Sequence, residues 1–210
     1  MTGCNLRRVG ASHCPVSSVV ATSRDGRLAT GHAGWVDDVV ITPLTEVPPG
    51  FDSELAALWL KVTLGGGSVG FGTEVDPGDV LAVASRIVAD AAAGRTDVLV
   101  LRGRDGTLVG TVRLERGSDV VVRHRAMLKL LMVDPERQGQ GLGTRLVDAC
   151  LELARDLGIE QVYLSARSAT GLEEYYAKIG WQEVGRFPGG VRVAAGDDRD
   201  EVWFFKRISP

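Results

Sequence analysis

The segment that most limits the fold is Met127–Gly143, which reads MLKLLMVDPERQGQGLG. Its first part, Met127–Val133, is almost continuously apolar, as is typical of a strand that is covered on both faces. A proline turn follows, and then apolar residues recur at helical spacing. A strand that turns into a glycine-rich helix start leaves backbone N–H groups unpaired at the positive end of the helix dipole. Gly139, Gly141 and Gly143 lack the side chains that would keep a phosphate away from those amides.

The spacing of these glycines separates three kinds of phosphate site. A dinucleotide fingerprint needs G-x-G-x-x-G followed by an acidic residue, and a Walker loop needs a lysine after its last glycine. The sequence has G-x-G-x-G and no such lysine, so both patterns fail. The pattern that remains is Q-x-x-G-x-G over Gln138–Gly143, directly after the strand end Leu131–Val133. A glycine loop that only turns the chain stays open as an alternative.

These residues resemble the GCN5-related N-acetyltransferase (GNAT) family, in which [QR]-x-x-G-x-[GA] holds the pyrophosphate of acetyl-CoA. A second family motif, [FY]-Y-x-K-x-G-[FW], matches Tyr175–Trp181, about 35 residues further on, and the resemblance covers roughly Val39–Ile208. It implies acetyl-CoA as cosubstrate, with no metal. The implied cofactor-binding residues are Leu131, Met132, Val133, Gln138, Gly139, Gln140, Gly141, Leu142, Gly143, Thr144, Thr170, Tyr176 and Lys178.

Strand and helix patterns alternate along the chain, which predicts an α/β fold. The resemblance implies the GNAT fold, a mixed and mostly antiparallel sheet of about seven strands flanked by about four helices. Residues 38–210 are expected to form one GNAT domain. Residues 1–37 show neither a helical nor a strand period and are expected to be a poorly ordered extension.

Two local patterns give more specific predictions. Asp52 is a candidate N-cap for a helix that ends near Leu64. The last two strands are expected at Trp181–Phe187 and Val202–Ile208, joined by a polar loop that includes Gly196–Glu201. The carboxylates of that loop either attract a cationic amine or only keep an exposed loop soluble.

Tyr176 is the expected general acid. A phenol has a pKa of about 10, so it is protonated at neutral pH and can give a proton to the departing CoA thiolate. Tyr175 is expected to be a core aromatic. The family often has an asparagine seven residues before the tyrosine, but Ala169 stands there, and Ser168 or Thr170 would have to supply a hydroxyl instead. Lys178 either reaches CoA phosphates or only complements the helix dipole.

A base that deprotonates the acceptor amine has two candidates by residue type, Glu115 and His124. A reaction without a dedicated base is a further option. Each candidate also has a structural interpretation. Glu115 lies among arginines as an ion-paired surface charge would, and His124 lies where a solvated loop is expected.

The closest resemblance within the family is to the tabtoxin-resistance type of acetyltransferase, which acetylates a small amino-acid-like compound. The segments Gly66–Phe71 and Gly185–Gly189 carry it. It implies an acceptor pocket with Ser68 and Phe71, and it places Ser165 where that type has a catalytic aspartate. The alternative is that the glycine loop is a flexible connector between two helices.

Composition excludes other classes. With 24 basic and 27 acidic residues the net charge is −3, which disfavours binding to nucleic acid. No apolar run reaches the roughly 18 residues of a membrane span, and the first 30 residues lack a signal peptide's apolar stretch. Cys4, Cys14 and Cys150 have neither disulfide-framework nor metal-ligand spacing, so we expect a cytoplasmic protein with reduced thiols.

The function expected from these residues is acetyl-CoA-dependent N-acetylation of a primary amine on a small molecule. Direct transfer in a ternary complex is favoured, because Cys150 falls on the buried face of its helix and is a poor candidate for a covalent intermediate. A protein or peptide N-acetyltransferase is the first alternative, and a catalytically silent CoA-binding sensor is the second. Dimerisation is common among relatives, so a homodimer is a further expectation.

Overall fold

The computed structural model describes residues 38–67, 69–72 and 74–208. The expected N-terminal extension, residues 1–37, therefore lies outside the described residues. The helices within these ranges are α1 Phe51–Leu64, α2 Pro77–Ala92, α3 Leu142–Asp156 and α4 Leu172–Lys178. The strands are β1 Val39–Pro43, β2 Asp97–Gly103, β3 Leu108–Arg116, β4 Arg125–Val133, β5 Gln161–Arg167, β6 Gln182–Ala194 and β7 Asp197–Arg207.

The seven strands form one sheet in the order β1-β2-β3-β4-β5-β7-β6. Every neighbouring pair is antiparallel except β4 and β5, which are parallel. The prediction of a mixed and mostly antiparallel sheet with four helices is confirmed. No helix in the described ranges is both long and apolar enough to span a membrane.

Helices cover both faces of this sheet. On one face, Leu146 and Cys150 of α3 and Tyr176 of α4 are buried against apolar residues of the central strands. On the other face, Trp59 of α1 and Ile87 of α2 lie in a second buried cluster. Both clusters include side chains from β2, β3 and β4, so these central strands are buried on both faces.

Strand β4 contains a bulge that changes which side chains face which core. Leu130 has a φ of 51°, in the left-handed region, and the register between β3 and β4 shifts beside it. Leu128 faces the α3 core before the bulge, whereas Leu131 and Val133 face that core after it. The apolar run of the sequence is therefore continuous for two reasons: β4 is buried, and the bulge changes which of its residues face each core.

The parallel strands β4 and β5 separate soon after they pair. Their register covers Arg125–Met127 against Gln161–Tyr163, three pairs of residues. Both strands then continue, to Val133 and to Arg167. Beyond Met127, the edge of β4 that faces β5 is consequently open to a ligand.

Two local predictions from the sequence are wrong. The N-cap of α1 is Gly50 in a left-handed conformation, with φ 79°, and the helix begins at Phe51 because that side chain is buried. Asp52 lies inside the first turn, where its carboxylate accepts a hydrogen bond from Ser85 Oγ at 2.9 Å. A positive φ is accessible to glycine without strain, so no side-chain cap is needed to turn the chain.

The final hairpin is longer than predicted. Strand β6 extends to Ala194 and β7 begins at Asp197, so most of the expected polar loop is strand. Arg192 and Asp198 pair across the hairpin at 2.7 Å, which accounts for charged residues at strand positions. Gly196, with φ 80°, completes the tight turn.

Candidate active site

A cavity of about 1220 Å³ opens where β4 and β5 separate. One end is formed by the turn into α3, and its lining is Gln138, Gly139, Gly141, Leu142, Gly143 and Thr144. The other end lies against α1, α2 and the loop between them, and its apolar lining is Trp59, Val69, Phe71, Val83 and Ile87. Such a continuous concave site can hold a long ligand together with a second molecule.

The turn before α3 has the geometry of an anion site. Gly139 and Gly141 have φ values of 75° and 76°, and a Cβ atom at either position would meet no atom within 4 Å. Gly141 is the N-cap of α3, so the first N–H groups of the helix point into this open space without helical partners. Gln138 donates from Nε2 to the Val133 carbonyl at 3.0 Å and so holds the turn against the end of β4.

Eleven of the thirteen expected cofactor residues line the cavity: Leu131, Val133, Gln138, Gly139, Gly141, Leu142, Gly143, Thr144, Thr170, Tyr176 and Lys178. The side chains of the other two do not. Met132 is buried in the core below α1 and α2, because the bulge turns it to that face. Gln140 is exposed and accepts a hydrogen bond from Arg137 Nε at 3.3 Å.

Two adjacent tyrosines of α4 line the cavity. The ring of Tyr176 is buried against three aromatic rings, with centroids 5.1 Å away at Tyr175, 5.8 Å at Trp181 and 5.3 Å at Phe204. Burial is the main cause that raises the pKa of Tyr176 above its usual value, with a smaller contribution from Tyr175. Tyr176 is therefore held in its protonated form.

Tyr175 has more than the core role expected from the sequence. It is half-buried, and its hydroxyl lies 3.3 Å from Thr144 Oγ1 in the first turn of α3. Burial raises the pKa of Tyr175 as well, although the contact with Thr144 acts in the opposite direction. Tyr175 thus places its hydroxyl at the start of α3, whereas the ring of Tyr176 lies in the aromatic cluster.

The glycine loop between α1 and α2 is tied to the rest of the site. Trp59 donates from Nε1 to the Val69 carbonyl at 2.7 Å, and Arg167 of β5 donates to the Gly66 carbonyl at 3.1 Å. The Phe71 ring packs on Trp59 at 5.2 Å, and Phe71 lines the cavity. These contacts do not fit a loose connector. Ser68 lies outside the described residues.

The loop also meets the final hairpin at close range. A Cβ atom at Gly72 would lie 2.4 Å from the Val193 carbonyl oxygen of β6. Only glycine permits this approach of two backbones, and the contact holds the loop against β6 one residue after Phe71, which lines the cavity.

The end of β5 brings three predicted positions near the cavity. Ser165 and Thr170 line it, and Thr170 donates from Oγ1 to the Arg167 carbonyl at 2.8 Å. Ala169, which stands where the family often has asparagine, adopts a left-handed conformation with φ 58°. Asparagine tolerates this conformation better than alanine does, so the backbone of Ala169 is strained.

Neither base candidate from the sequence lines the cavity. The Glu115 carboxylate binds Arg113 Nη2 at 2.9 Å and Lys129 Nζ at 3.0 Å. His124 lies before β4, where its carbonyl accepts from Glu160 N at 2.8 Å. The carboxylate that does line the cavity belongs to Glu201 on β7. In the sequence, Glu201 is the polar residue before apolar Val202, which is the alternation of a half-buried strand. The prediction of a polar loop up to Glu201 left this residue out of the strand.

The cysteine of α3 is remote from this chemistry. Cys150 is fully buried in the core beneath the sheet and is not part of the cavity lining. Burial raises the pKa of its thiol to about 12, with a smaller contribution from Asp97. At neutral pH this residue is a thiol and not the nucleophilic thiolate.

Solved structures with the same fold are named for acceptors of different kinds. The yncA protein of Salmonella typhimurium, solved with its cofactor acetyl-CoA, is 19% identical, with a TM-score of 0.63 over 81% of this chain and 95% of that chain. The ribosomal-protein-alanine N-acetyltransferase of Brucella melitensis is 18% identical, with a TM-score of 0.66 over 80% and 99%. A provisionally assigned phosphinothricin N-acetyltransferase is 19% identical, with a TM-score of 0.66 over 81% and 100%.

Similarity at this level establishes the fold and leaves the acceptor open, since a protein acceptor and a small one are named at equal TM-scores. The resemblance to the tabtoxin-resistance type is not confirmed by these comparisons. The family model described as "Acetyltransferase (GNAT) family" matches residues 77–181, which is half of the chain and includes both the α3 turn and the tyrosine motif. The chain therefore belongs to the GNAT acetyltransferase family.

Proposed function

We propose that the protein transfers acetyl from acetyl-CoA to a primary amine of a small, amino-acid-like molecule, by direct transfer in a ternary complex. The observation that carries the proposal is the single cavity, which joins the open turn at α3 to an enclosed, aromatic acceptor end. Its lining also contains Tyr176, a proton donor held protonated by burial.

The residues present fit acetyl-CoA. A pyrophosphate finds backbone N–H groups and the helix dipole at the start of α3, in space left open by Gly139 and Gly141. The amide groups of a pantetheine arm find the open edge of β4 near Leu131 and Val133. Lys178, exposed at the end of α4, offers a positive charge to the phosphates. Bound acetyl-CoA would supply an activated thioester.

Tyr176 is proposed to give its proton to the sulfur as the thioester opens. A thiolate is a poor leaving group in an apolar site unless it is protonated or hydrogen-bonded, because burial disfavours the charged form. The aromatic rings around Tyr176 fix its direction without competing for its hydroxyl proton. Its raised pKa keeps it protonated at neutral and mildly alkaline pH.

A small acceptor is favoured by the walls of the cavity. The glycine loop is held by Trp59 and Arg167, so the loop, α1 and α2 together form a fixed apolar wall at the acceptor end. A peptide acceptor would need a longer groove with fewer walls. Direct transfer is favoured over an acetyl-enzyme because Cys150 is buried and protonated.

The test is to measure release of free thiol from acetyl-CoA with a panel of small primary amines and a panel of short peptides. We expect at least one small amine to raise thiol release well above hydrolysis. Mass spectrometry of the protein with acetyl-CoA alone should find no acetylated cysteine. Preference for peptides would favour the first alternative function. Acetyl-CoA binding by calorimetry, without thiol release for any amine, would favour the CoA-binding sensor.

A further inference from the structure

The carboxylate of Glu201 differs from the other acidic side chains of β7. Each of those has a partner within the hairpin: Asp197 binds Arg199, Asp198 binds Arg192 at 2.7 Å, and Asp200 accepts a hydrogen bond from Gly189 N at 3.0 Å. Within the described residues, the Glu201 carboxylate has no hydrogen bond and no ion pair. It is half-buried and lines the cavity. A carboxylate in such a place is free to bind a ligand cation.

The direction of Glu201 follows from the alternation of β7. Val202 and Phe204 are buried in the core beneath α3 and α4, so Glu201 lies on the opposite face of the sheet. Ser165 of β5 lies on that face too, because its neighbours Leu164 and Ala166 belong to the same core. Glu201 and Ser165 thus share the face of the sheet that carries α1 and α2, where the acceptor end of the cavity lies.

The surrounding chain leaves room for this side chain. A Cβ atom at Gly190 of β6 would lie 3.2 Å from Glu201 Cβ and 2.8 Å from Phe187 Cδ1. Arg167 is the residue opposite Glu201 on β5, and its Nη2 donates to the Gly66 carbonyl at 3.1 Å. This contact uses one of its five N–H donors, so Arg167 remains a positive charge opposite Glu201, although no ion pair joins the two side chains.

Glu201 is the one carboxylate among the described residues that line the cavity. The cavity lining also includes the cations Arg113 from β3, Lys129 from β4 and Lys178 from α4 and the phenols Tyr175 and Tyr176, and Arg167 of β5 lies directly opposite Glu201 in the register. Phe187 faces it from β6. Arg113 and Lys129 both form ion pairs with Glu115 and not with Glu201.

We propose that Glu201 binds the ammonium group of the acceptor and removes its proton. The inference rests on the proposed acetyl transfer, and it defines the acceptor as a cationic primary amine. The ammonium gives one proton to the Glu201 carboxylate. The neutral nitrogen then bonds to the thioester carbon, the carbon–sulfur bond breaks, and the sulfur takes the proton of Tyr176. Tyr176 recovers a proton from the nitrogen, and Glu201 releases its own proton to water.

The first experiment compares wild type with E201Q, E201D and a matched control, E174Q, which removes an exposed carboxylate from α4. For the amine with the highest thiol release, kcat/KM should fall at least about 100-fold in E201Q at neutral pH, because a positioned general base contributes about 10²- to 10⁴-fold. E201D should recover part of that loss, and E174Q should match wild type. The loss in E201Q should become smaller as the pH rises toward the pKa of the acceptor ammonium, because the variant can use only amine that is already neutral, while the Kd for acetyl-CoA should be unchanged. An E201Q enzyme with wild-type kcat/KM at neutral pH overturns the proposal.

The second experiment needs no turnover. Calorimetry measures the binding of 2-phenylethylamine and of 2-phenylethanol, a pair that differs in the ammonium group. Wild type should bind the amine at least tenfold more tightly than the alcohol, and E201Q should lose this preference. If wild type releases no thiol with any amine, the proposed function fails, and this comparison still decides the role of Glu201. Equal affinity of wild type for the two probes, or an unchanged preference in E201Q, overturns it.

Discussion

Replacement of Tyr176 by phenylalanine separates the chemistry of the site from its packing. The phenylalanine ring keeps all three aromatic contacts, whose centroids lie 5.1 to 5.8 Å away. What is lost is the hydroxyl, and a single hydroxyl hydrogen bond typically contributes about 0.5 to 1.5 kcal/mol to stability. We therefore expect the free energy of unfolding in urea to change by no more than about 1.5 kcal/mol.

The catalytic effect should be much larger. A positioned general acid contributes about 10²- to 10⁴-fold, which corresponds to about 2.7 to 5.5 kcal/mol of the barrier. Thiol release by Y176F at saturating acetyl-CoA and amine should accordingly fall at least about a hundredfold, and the Kd for acetyl-CoA from calorimetry should change less than about threefold. Because burial raises the pKa of Tyr176, the wild-type enzyme should show no loss of kcat between pH 7 and 9 from ionisation of this phenol.

Tyr175 provides the matched control, since it is the adjacent tyrosine and lines the same cavity. Y175F removes only the contact of 3.3 Å with Thr144, so kcat should fall less than about fivefold. A Y176F variant that keeps more than half of the wild-type kcat would refute the assignment of the acid. A Y175F variant that loses a hundredfold would transfer that role to its neighbour.

Three backbone positions give further predictions. G141A forces alanine into φ 76°, so we expect about 1 to 2 kcal/mol of lost stability in urea and weaker acetyl-CoA binding by calorimetry; unchanged binding would contradict the phosphate role of this turn. G72A brings a Cβ atom to 2.4 Å from the Val193 carbonyl, so KM for the amine should rise several-fold while the Kd for acetyl-CoA stays constant; equal changes in both would count against an acceptor wall. A169G relieves a residue at φ 58°, so Tm in calorimetry should rise by about 2 to 4 °C, and a fall in Tm would show that the strain is small.

The order of elements was predictable from the sequence because it depends on local patterns. The apolar spacing of α3 and the glycines at its ends require only neighbouring residues. The same holds for the start of α2, where Pro77 follows Asp76 and the Asp76 side chain accepts from Gly78 N. The hairpin of β6 and β7 was underestimated because cross-strand ion pairs, such as Arg192 with Asp198, stabilise charged strands that local propensity favours as loop.

The candidate site was predictable where a motif specifies the backbone. The turn into α3 needs glycines at defined positions, so Gly139 and Gly141 are visible in the sequence. Glu201 was not, because its exposure depends on the pairing of β7 with both β5 and β6. Glu115 was misleading for a related reason, since its two cations come from different strands and only the register of β3 with β4 brings Lys129 to it.

Because β4 and β5 separate, ligand binding at the open edge of β4 is linked to folding of the sheet. The open edge of β4 exists only when the sheet has formed, so a molecule that hydrogen-bonds there binds the folded chain and not the unfolded one. Such a ligand at 100 times its Kd adds about 2.7 kcal/mol to the free energy of unfolding. The protein without ligand is therefore less stable than its complex, and its rate of proteolysis through the unfolded state should fall as the ligand concentration rises.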